Sequence, residues 1–346
     1  GGVFASVVAP AMFNGFWEFQ VGLVCTCVLL ALCTELDRPE GRLALVRTVA
    51  WGVGIGTLGF HFVNAIRDDQ QGMIAATRNF YGLLRVYDKD IGDGPTVLLR
   101  SLYHGEILHG SQLLAGARRR EALTYYGDGT GVALAIAKHP RRDTSATSSG
   151  SGLIIGVVGL GTGTVAALGR AGDTVRFYEI NPEVERIANA YFSFLRDAAA
   201  TTEVVLGDGR ISLERELRQQ GTQQFDVLVL DAFSGDAIPI HLLTYEASQL
   251  YWRHLREDGV LVVHVSNKYV NLRPVVRAAA AAFDKRFLLI SADSLGEEYA
   301  GSTWVVVTSN GALIDRLAGS ATHWPREEPQ TILWTDDYSS LVSVLD

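Results

Sequence analysis

Cysteine is scarce: three residues in 346, Cys25, Cys27 and Cys33, all within one apolar stretch near the N terminus. That clustering argues against a disulfide framework and for small buried hydrophobes, which fits a reducing compartment. Metal-binding spacings are also missing. The eight histidines are scattered, and the nearest approach to a pair, His104 and His109, reads as hairpin surface. No GxSxG turn is present, so Ser234 has no neighbouring motif to make it a nucleophile. Basic residues are outnumbered, 30 Lys and Arg against 38 Asp and Glu, for a net charge of −8. This argues against a nucleic-acid-binding surface and suits a cationic small molecule. No internal repeat is evident.

What is present is a nucleotide-binding pattern. Leu153 to Val158 (LIIGVV) is a short apolar, β-branched run that passes into Gly159-Leu-Gly161-Thr-Gly163-Thr, and a helix is expected from about Val165. Gly159, Gly161 and Gly163 allow a tight turn and a close approach of backbone to ligand. The next strand, Thr174 to Ile180, ends in Glu179, twenty positions after Gly159, where a carboxylate can accept ribose hydroxyls. A third strand runs into Gly207-Asp208-Gly209, placing Asp208 to accept an adenine amino group. A fourth, Asp226 to Asp231 (DVLVLD), ends at Asp231. Carboxylates that end successive strands line one edge of a doubly wound sheet, the edge where ligands bind. Each also has a plain structural reading: an Asp after a strand often caps the next helix, as Asp236 could before a helix expected near His241.

Taken together, GLGTGT, the EINP around Glu179, GDGR around Asp208 and the strand ending at Asp231 resemble the spermidine and spermine synthases, the polyamine aminopropyltransferases. Leu98 to Leu114 resembles that family's small β domain, with His109-Gly-Ser-Gln112 similar to its DGxxQ turn and Tyr125 and Tyr126 similar to its substrate-gating tyrosines. The likeness runs from about Asn79 to the C terminus. The opening GGVFASVVAPAMFNGFWEF, RNFYGLLRV (Arg78 to Val86) and the closing TDDYSSLVSVL resemble a subgroup in which the synthase follows a polytopic membrane region. Two motifs depart from the family: DxxDP becomes Asp231 and Asp236 five apart, and YxE becomes Tyr125-Tyr-Gly-Asp128.

The resemblance implies an α/β fold, with a methyltransferase-like Rossmann domain on a mostly parallel sheet. A small β-rich domain and N-terminal apolar helices would precede it. The expected divisions are 1–77, membrane-associated; 78–140, small β domain; 141–152, a Ser/Thr/Gly-rich linker; and 153–346, catalytic. Decarboxylated S-adenosylmethionine would be the co-substrate, held by Gly159, Gly161, Gly163, Glu179, Asp208, Gly209 and Gln112. Asp231 and Tyr125 would be catalytic, and Asp236, Tyr126 and Asp337 would face a diamine or polyamine, putrescine as first guess. No metal is implied, and a homodimer is compatible. The same turn and acids also suit a methyltransferase using intact S-adenosylmethionine, or a non-catalytic sensor of nucleoside or polyamine.

At the N terminus, Val21 to Cys33 is an uncharged apolar run of thirteen, and Thr48 to Ile66 is nineteen residues free of Asp, Glu, Lys and Arg. The second is close to the ~20 needed to cross a bilayer. Neither resembles a cleavable signal peptide. The expectation is a piece of a longer membrane protein whose catalytic domain lies in the cytoplasm, where the family's co-substrate is made.

Overall fold

In the computed structural model the described residues are 3–4, 8–13, 15–36, 42–92, 94–144, 152–232, 239–267, 269–325 and 332–345. The chain divides into two compact units, Gly1–Asp88 and Lys89–Asp346. In the first, helices Glu18–Leu36 and Arg42–Asp69 pack on each other, and strands β1 (Met73–Asn79) and β2 (Gly82–Asp90) form an antiparallel hairpin. The second helix has 28 residues, or about 42 Å at 1.5 Å per residue. Within Ala44–Asp69 the most apolar 18-residue window has a mean hydropathy of 1.4, and none of that window is buried. It is long and apolar enough to cross a membrane. Glu18, the acid beside the shorter apolar run, is gripped by Arg78 from β1 at 2.7 and 3.0 Å. That guanidinium also lies 4.4 Å from the Phe16 ring centre.

The second unit opens with the antiparallel hairpin of β3 (Leu98–His104) and β4 (Ile107–Leu113). Seven strands follow in one sheet: β5 (Ile154–Val158), β6 (Thr174–Glu179), β7 (Thr201–Leu206), β8 (Phe225–Leu230), β9 (Leu255–His264), β10 (Arg286–Ala292) and β11 (Ser302–Thr308). Their order is β10-β11-β9-β8-β5-β6-β7, parallel from β9 through β7, with β11 antiparallel to both its neighbours. This is the methyltransferase-like α/β arrangement. Every residue of β8 is buried, as expected of a central parallel strand covered on both faces; its one polar residue, Asp226, is paired with arginine. From β5 the chain steps outward through β6 and β7, then returns to β8 on the other side of β5. Ligands bind where the winding reverses, outside the carboxyl ends of β5 and β8.

Three local expectations are corrected. The helix expected from Val165 is a 3₁₀ turn, Thr164–Leu168, which closes at Gly169 after five residues; so short a piece cannot repay the cost of nucleating an α-helix. The apolar spacing Val184, Ile187, Ala188, Tyr191 and Leu195 predicts one helix over 182–196, but it breaks into Pro182–Tyr191 and Phe194–Asp197. The break sits at Ser193, whose N–H donates to Gln112 Oε1 at 3.0 Å instead of continuing the helix. Near His241 there is a 3₁₀ turn, Ile240–Leu242, and the α-helix starts at Tyr245 behind the cap Thr244.

Candidate active site

Asp231 follows β8 directly, and its N–H donates to the carbonyl of Val158 at the end of β5, so its side chain emerges at the reversal point. The glycine turn after β5 lies tightly against it. A Cβ on Gly159 would stand 2.4 Å from the Asp231 carbonyl oxygen, and one on Gly161 would stand 2.6 Å from the carbonyl of His109 on β4. Both glycines have positive φ, 103° and 54°, where a side chain would also be strained. Glycine is needed here so that the hairpin wall and the sheet edge can close on each other.

Between them is a cavity of about 450 Å³, lined by Asp231, His264, Ser266 and Asn267 from the sheet edge, by Gly161, by Glu106 to His109 from the hairpin, and by Tyr125 and Tyr126. The Tyr126 hydroxyl donates to Asp231 Oδ2 at 2.6 Å, and His264 Nδ1 meets Oδ1 at 2.8 Å. Burial pushes the Tyr126 phenol well above its ordinary range, and the Asp231 charge pushes it further, so it stays a donor. Tyr125 was expected to be the catalytic tyrosine; its hydroxyl donates instead to the Leu108 carbonyl at 2.9 Å, and its ring packs 5.4 Å from that of His264. Both tyrosines come from the 3₁₀ turn Thr124–Tyr126, which begins at a left-handed Thr124 with φ of 56°. The second tyrosine of the pair is therefore the one that reaches Asp231.

The nucleoside side is prepared differently. Glu179, at the end of β6, is nearly buried, and its two oxygens accept the N–H groups of Leu160 (3.0 Å) and Asn181 (2.8 Å). Burial raises its pKa, and those donors oppose the rise. Asp208 caps helix Gly209–Gln219 through the N–H of Ile211 at 2.9 Å, while its other oxygen faces His241 Nε2 at 2.9 Å. The capping role and an exposed acceptor role thus fall on different oxygens of one carboxylate. Gly209 packs where a Cβ would lie 2.6 Å from Val158. Gly163, with φ of 83°, abuts Leu195.

Other predicted residues are not brought to the cavity. Gln112 is 1% exposed, and its amide is consumed by the Ser193 hydroxyl and N–H and by the Arg119 carbonyl. It clamps β4 to the helix break. Asp337 is exposed and does not line the cavity, and neighbouring Asp336 is held by Arg210 and Thr244. Asp128 is also exposed. Asp236 and Ser234 lie outside the described residues.

His264, Ser266, Asn267 and His109 were not anticipated. His109 is no hairpin surface residue: it is half-buried, its Nε2 is covered and has no hydrogen-bond partner among the described residues, and burial next to His104 holds its pKa down at about 4. Asn267 accepts the N–H groups of Tyr269 and Val270 through Oδ1, leaving Nδ2 without a partner among the described residues. Two unpartnered buried polar atoms on the wall of one cavity are what a polar ligand would satisfy. His264 was findable. Leu230 of β8 pairs with Val263 of β9, so the next residue along each chain meets its counterpart, and the rule that selected Asp231 applies equally one strand over.

No family model matches the chain. Over 109 residues, 31% of its length, it is 33% identical to the N-terminal histidine N-methyltransferase of Emericella nidulans, covering 19% of that protein. Over 111 residues, again 31% of its length, it is 36% identical to the polyamine aminopropyltransferase of Vibrio vulnificus, covering 36% of that protein. The chain therefore spans about a third or less of these curated relatives. Among solved structures, a probable spermidine synthase from Corynebacterium glutamicum matches with a TM-score of 0.50 over 72% of this chain and 87% of that one, at 18% identity, a likeness of fold. The resemblance to the spermidine synthase family thus holds in sequence over about a third of the chain and in fold over most of it.

Proposed function

We propose that the second unit transfers the aminopropyl group of decarboxylated S-adenosylmethionine to a diamine or polyamine, putrescine in the first instance, and releases methylthioadenosine. The observation that carries this reading is the state of Asp231. Its carboxylate stands in the cavity with a phenol and an imidazole as partners, and no Lys or Arg pairs with it among the described residues. A negative charge left for a ligand suits an ammonium group.

The chemistry explains the need for it. A primary amine has a pKa close to that of lysine, ~10.4, and its protonated form has no lone pair for attack. Asp231 fixes the ammonium in the cavity, where a neighbouring group can take its proton, while the cavity walls align the nitrogen with the propyl carbon next to the sulfonium. The nitrogen–carbon bond then forms as the carbon–sulfur bond breaks, and the sulfonium leaves as a neutral thioether. Glu179 and Asp208 hold the ribose and adenine, and the glycine turn covers the nucleoside. In this reading helix Ala44–Asp69 attaches the chain to a membrane with the second unit on the cytoplasmic side.

A methyltransferase reading is favoured by the N-methyltransferase relative. The two separate by calorimetric binding of intact and decarboxylated S-adenosylmethionine, followed by assay of methylthioadenosine release with putrescine and spermidine. Preference for the decarboxylated form with amine-dependent release is expected; preference for the intact form without release supports methyl transfer.

A further inference from the structure

Asp231 belongs to a line of three groups. β8 and β9 are parallel neighbours in register at Leu230 and Val263, and adjacent strands run about 4.8 Å apart. Asp231 and His264 are therefore side by side at the carboxyl edge. His264 is 4% exposed and stacks on Trp304, its partner across the β9–β11 ladder, with ring centres 4.3 Å apart and planes 12° from parallel. Its Nδ1 is 2.8 Å from Asp231 Oδ1, and its Nε2 is 2.9 Å from the Ser266 hydroxyl. That hydroxyl in turn accepts the N–H of Thr303 at 2.7 Å.

The hydrogens follow from the partners. An ionised carboxylate only accepts, so Nδ1 carries the imidazole hydrogen and donates to Asp231. Nε2 then has a lone pair facing Ser266. The serine oxygen already accepts from Thr303, which leaves its own hydrogen to point at Nε2. This is the order hydroxyl, imidazole, carboxylate, in which the hydroxyl oxygen can take a proton as it passes its own to the imidazole. Ser266 and Asp231 line the same cavity.

We propose that the proton leaving the acceptor amine passes through Ser266 to His264, and that Asp231 serves to hold the ammonium and to stabilise the imidazolium that forms. The inference rests on the aminopropyl-transfer reading. The step balances: the ammonium gives one proton to the Ser266 oxygen, Ser266 gives its own to His264 Nε2, and the products are a neutral amine, an intact hydroxyl and an imidazolium beside a carboxylate. The amine then displaces the thioether, and His264 returns its proton by the same path to solvent. An imidazole is the better acceptor, since its ordinary pKa of ~6.5 lies nearer that of an ammonium than the ~3.9 of a carboxylate. Among the described residues, the titratable groups facing His264 include Asp231 after β8 and Tyr125 and Tyr126 on the 3₁₀ turn, with His109 on β4 across the cavity; Trp304 on β11 does not titrate.

The test uses the full chain and two variants, His264→Asn and Ser266→Ala, with methylthioadenosine release followed at saturating co-substrate from pH 5 to 9. Expected are a fall in kcat of about 10²-fold in both and a KM for the amine within about twofold of the parent. The acid limb of the parent's pH–rate profile should be lost from both. Thermal unfolding checks that each variant is folded, and Ser266→Ala, which removes one buried oxygen, is the milder of the two. An active parent whose variants keep both kcat and the acid limb would overturn the relay alone. A parent that releases no methylthioadenosine with any amine would overturn the aminopropyl-transfer reading, and the relay with it.

Discussion

Two aspartates bracket β8, and they occupy opposite chemical situations. Asp226, at its start, is fully buried; Arg141 and Arg256 (3.2 Å) pair with one of its oxygens, and the Ile154 N–H donates to the other at 2.7 Å. Asp231, at its end, has only neutral donors and an open cavity. The same division holds along the sheet. Asp173, before β6, is consumed by Arg142, by the Leu153 N–H and by the Arg170 N–H. Glu179, which ends β6, and Asp208, which follows β7, have no arginine partner among the described residues. A carboxylate serves as scaffold when the fold supplies the countercharge, and it is available for a ligand when the fold supplies only dipoles.

The sharpest way to test the contrast is to neutralise each end of β8. Asp231→Asn keeps the shape and can still accept from Tyr126, but it loses the charge that holds an ammonium. We expect turnover to fall by about 10³-fold, about 4 kcal/mol in barrier, with the unfolding midpoint little changed. Unchanged amine-dependent turnover would remove Asp231 from the reaction. Asp226→Asn should do the reverse. It leaves two guanidiniums facing a neutral amide, and breaking such a buried pair costs about 3 kcal/mol of stability. Urea unfolding should show that loss, while the folded fraction keeps its specific activity. Equal losses of stability in the two variants would mean that the ends of β8 do not differ as argued.

Much of this contrast could be read from the sequence at one end of the sheet. A strand, a glycine turn and an acid twenty residues on fix the order of winding, and the winding fixes which edge binds. Glu179, Asp208 and Asp231 all reached that edge for this reason. The opposite wall was harder. Tyr125 and Tyr126 are adjacent and chemically alike, and only the left-handed Thr124 decides which one meets Asp231. Gln112 looked like a ligand-binding amide because the pattern HGSQ gives no sign that Ser193, 81 residues away, would satisfy it. His109 looked like surface because a hairpin alternates faces, and nothing local says that the glycine turn at Gly161 will close over it. Contacts made within a strand or one crossover are legible; contacts between the hairpin and the sheet edge depend on packing that no short pattern encodes.

His109 offers a smaller but cleaner probe of the hairpin wall, because it reports on enclosure rather than on chemistry. Burial, with His104 adding to it and Asp231 opposing, holds its folded pKa at about 4, below the ordinary ~6.5 of the unfolded chain. The unfolded state therefore takes up this proton first on acidification. Stability from this group is complete above ~6.5 and is lost as the pH falls from there towards 4. Between pH 7 and pH 5 the loss amounts to about 2 kcal/mol. His109→Gln has no such proton to gain, so its urea midpoint should fall less than the parent's over that interval, and the gap between the two should shift in the variant's favour at pH 5. Parallel losses would mean that water reaches the imidazole freely and that the wall between hairpin and sheet is open. A half-buried residue beside a cavity can keep one nitrogen covered and free for a ligand, and a polar ligand that donates to Nε2 should restore to the parent part of what acid removes.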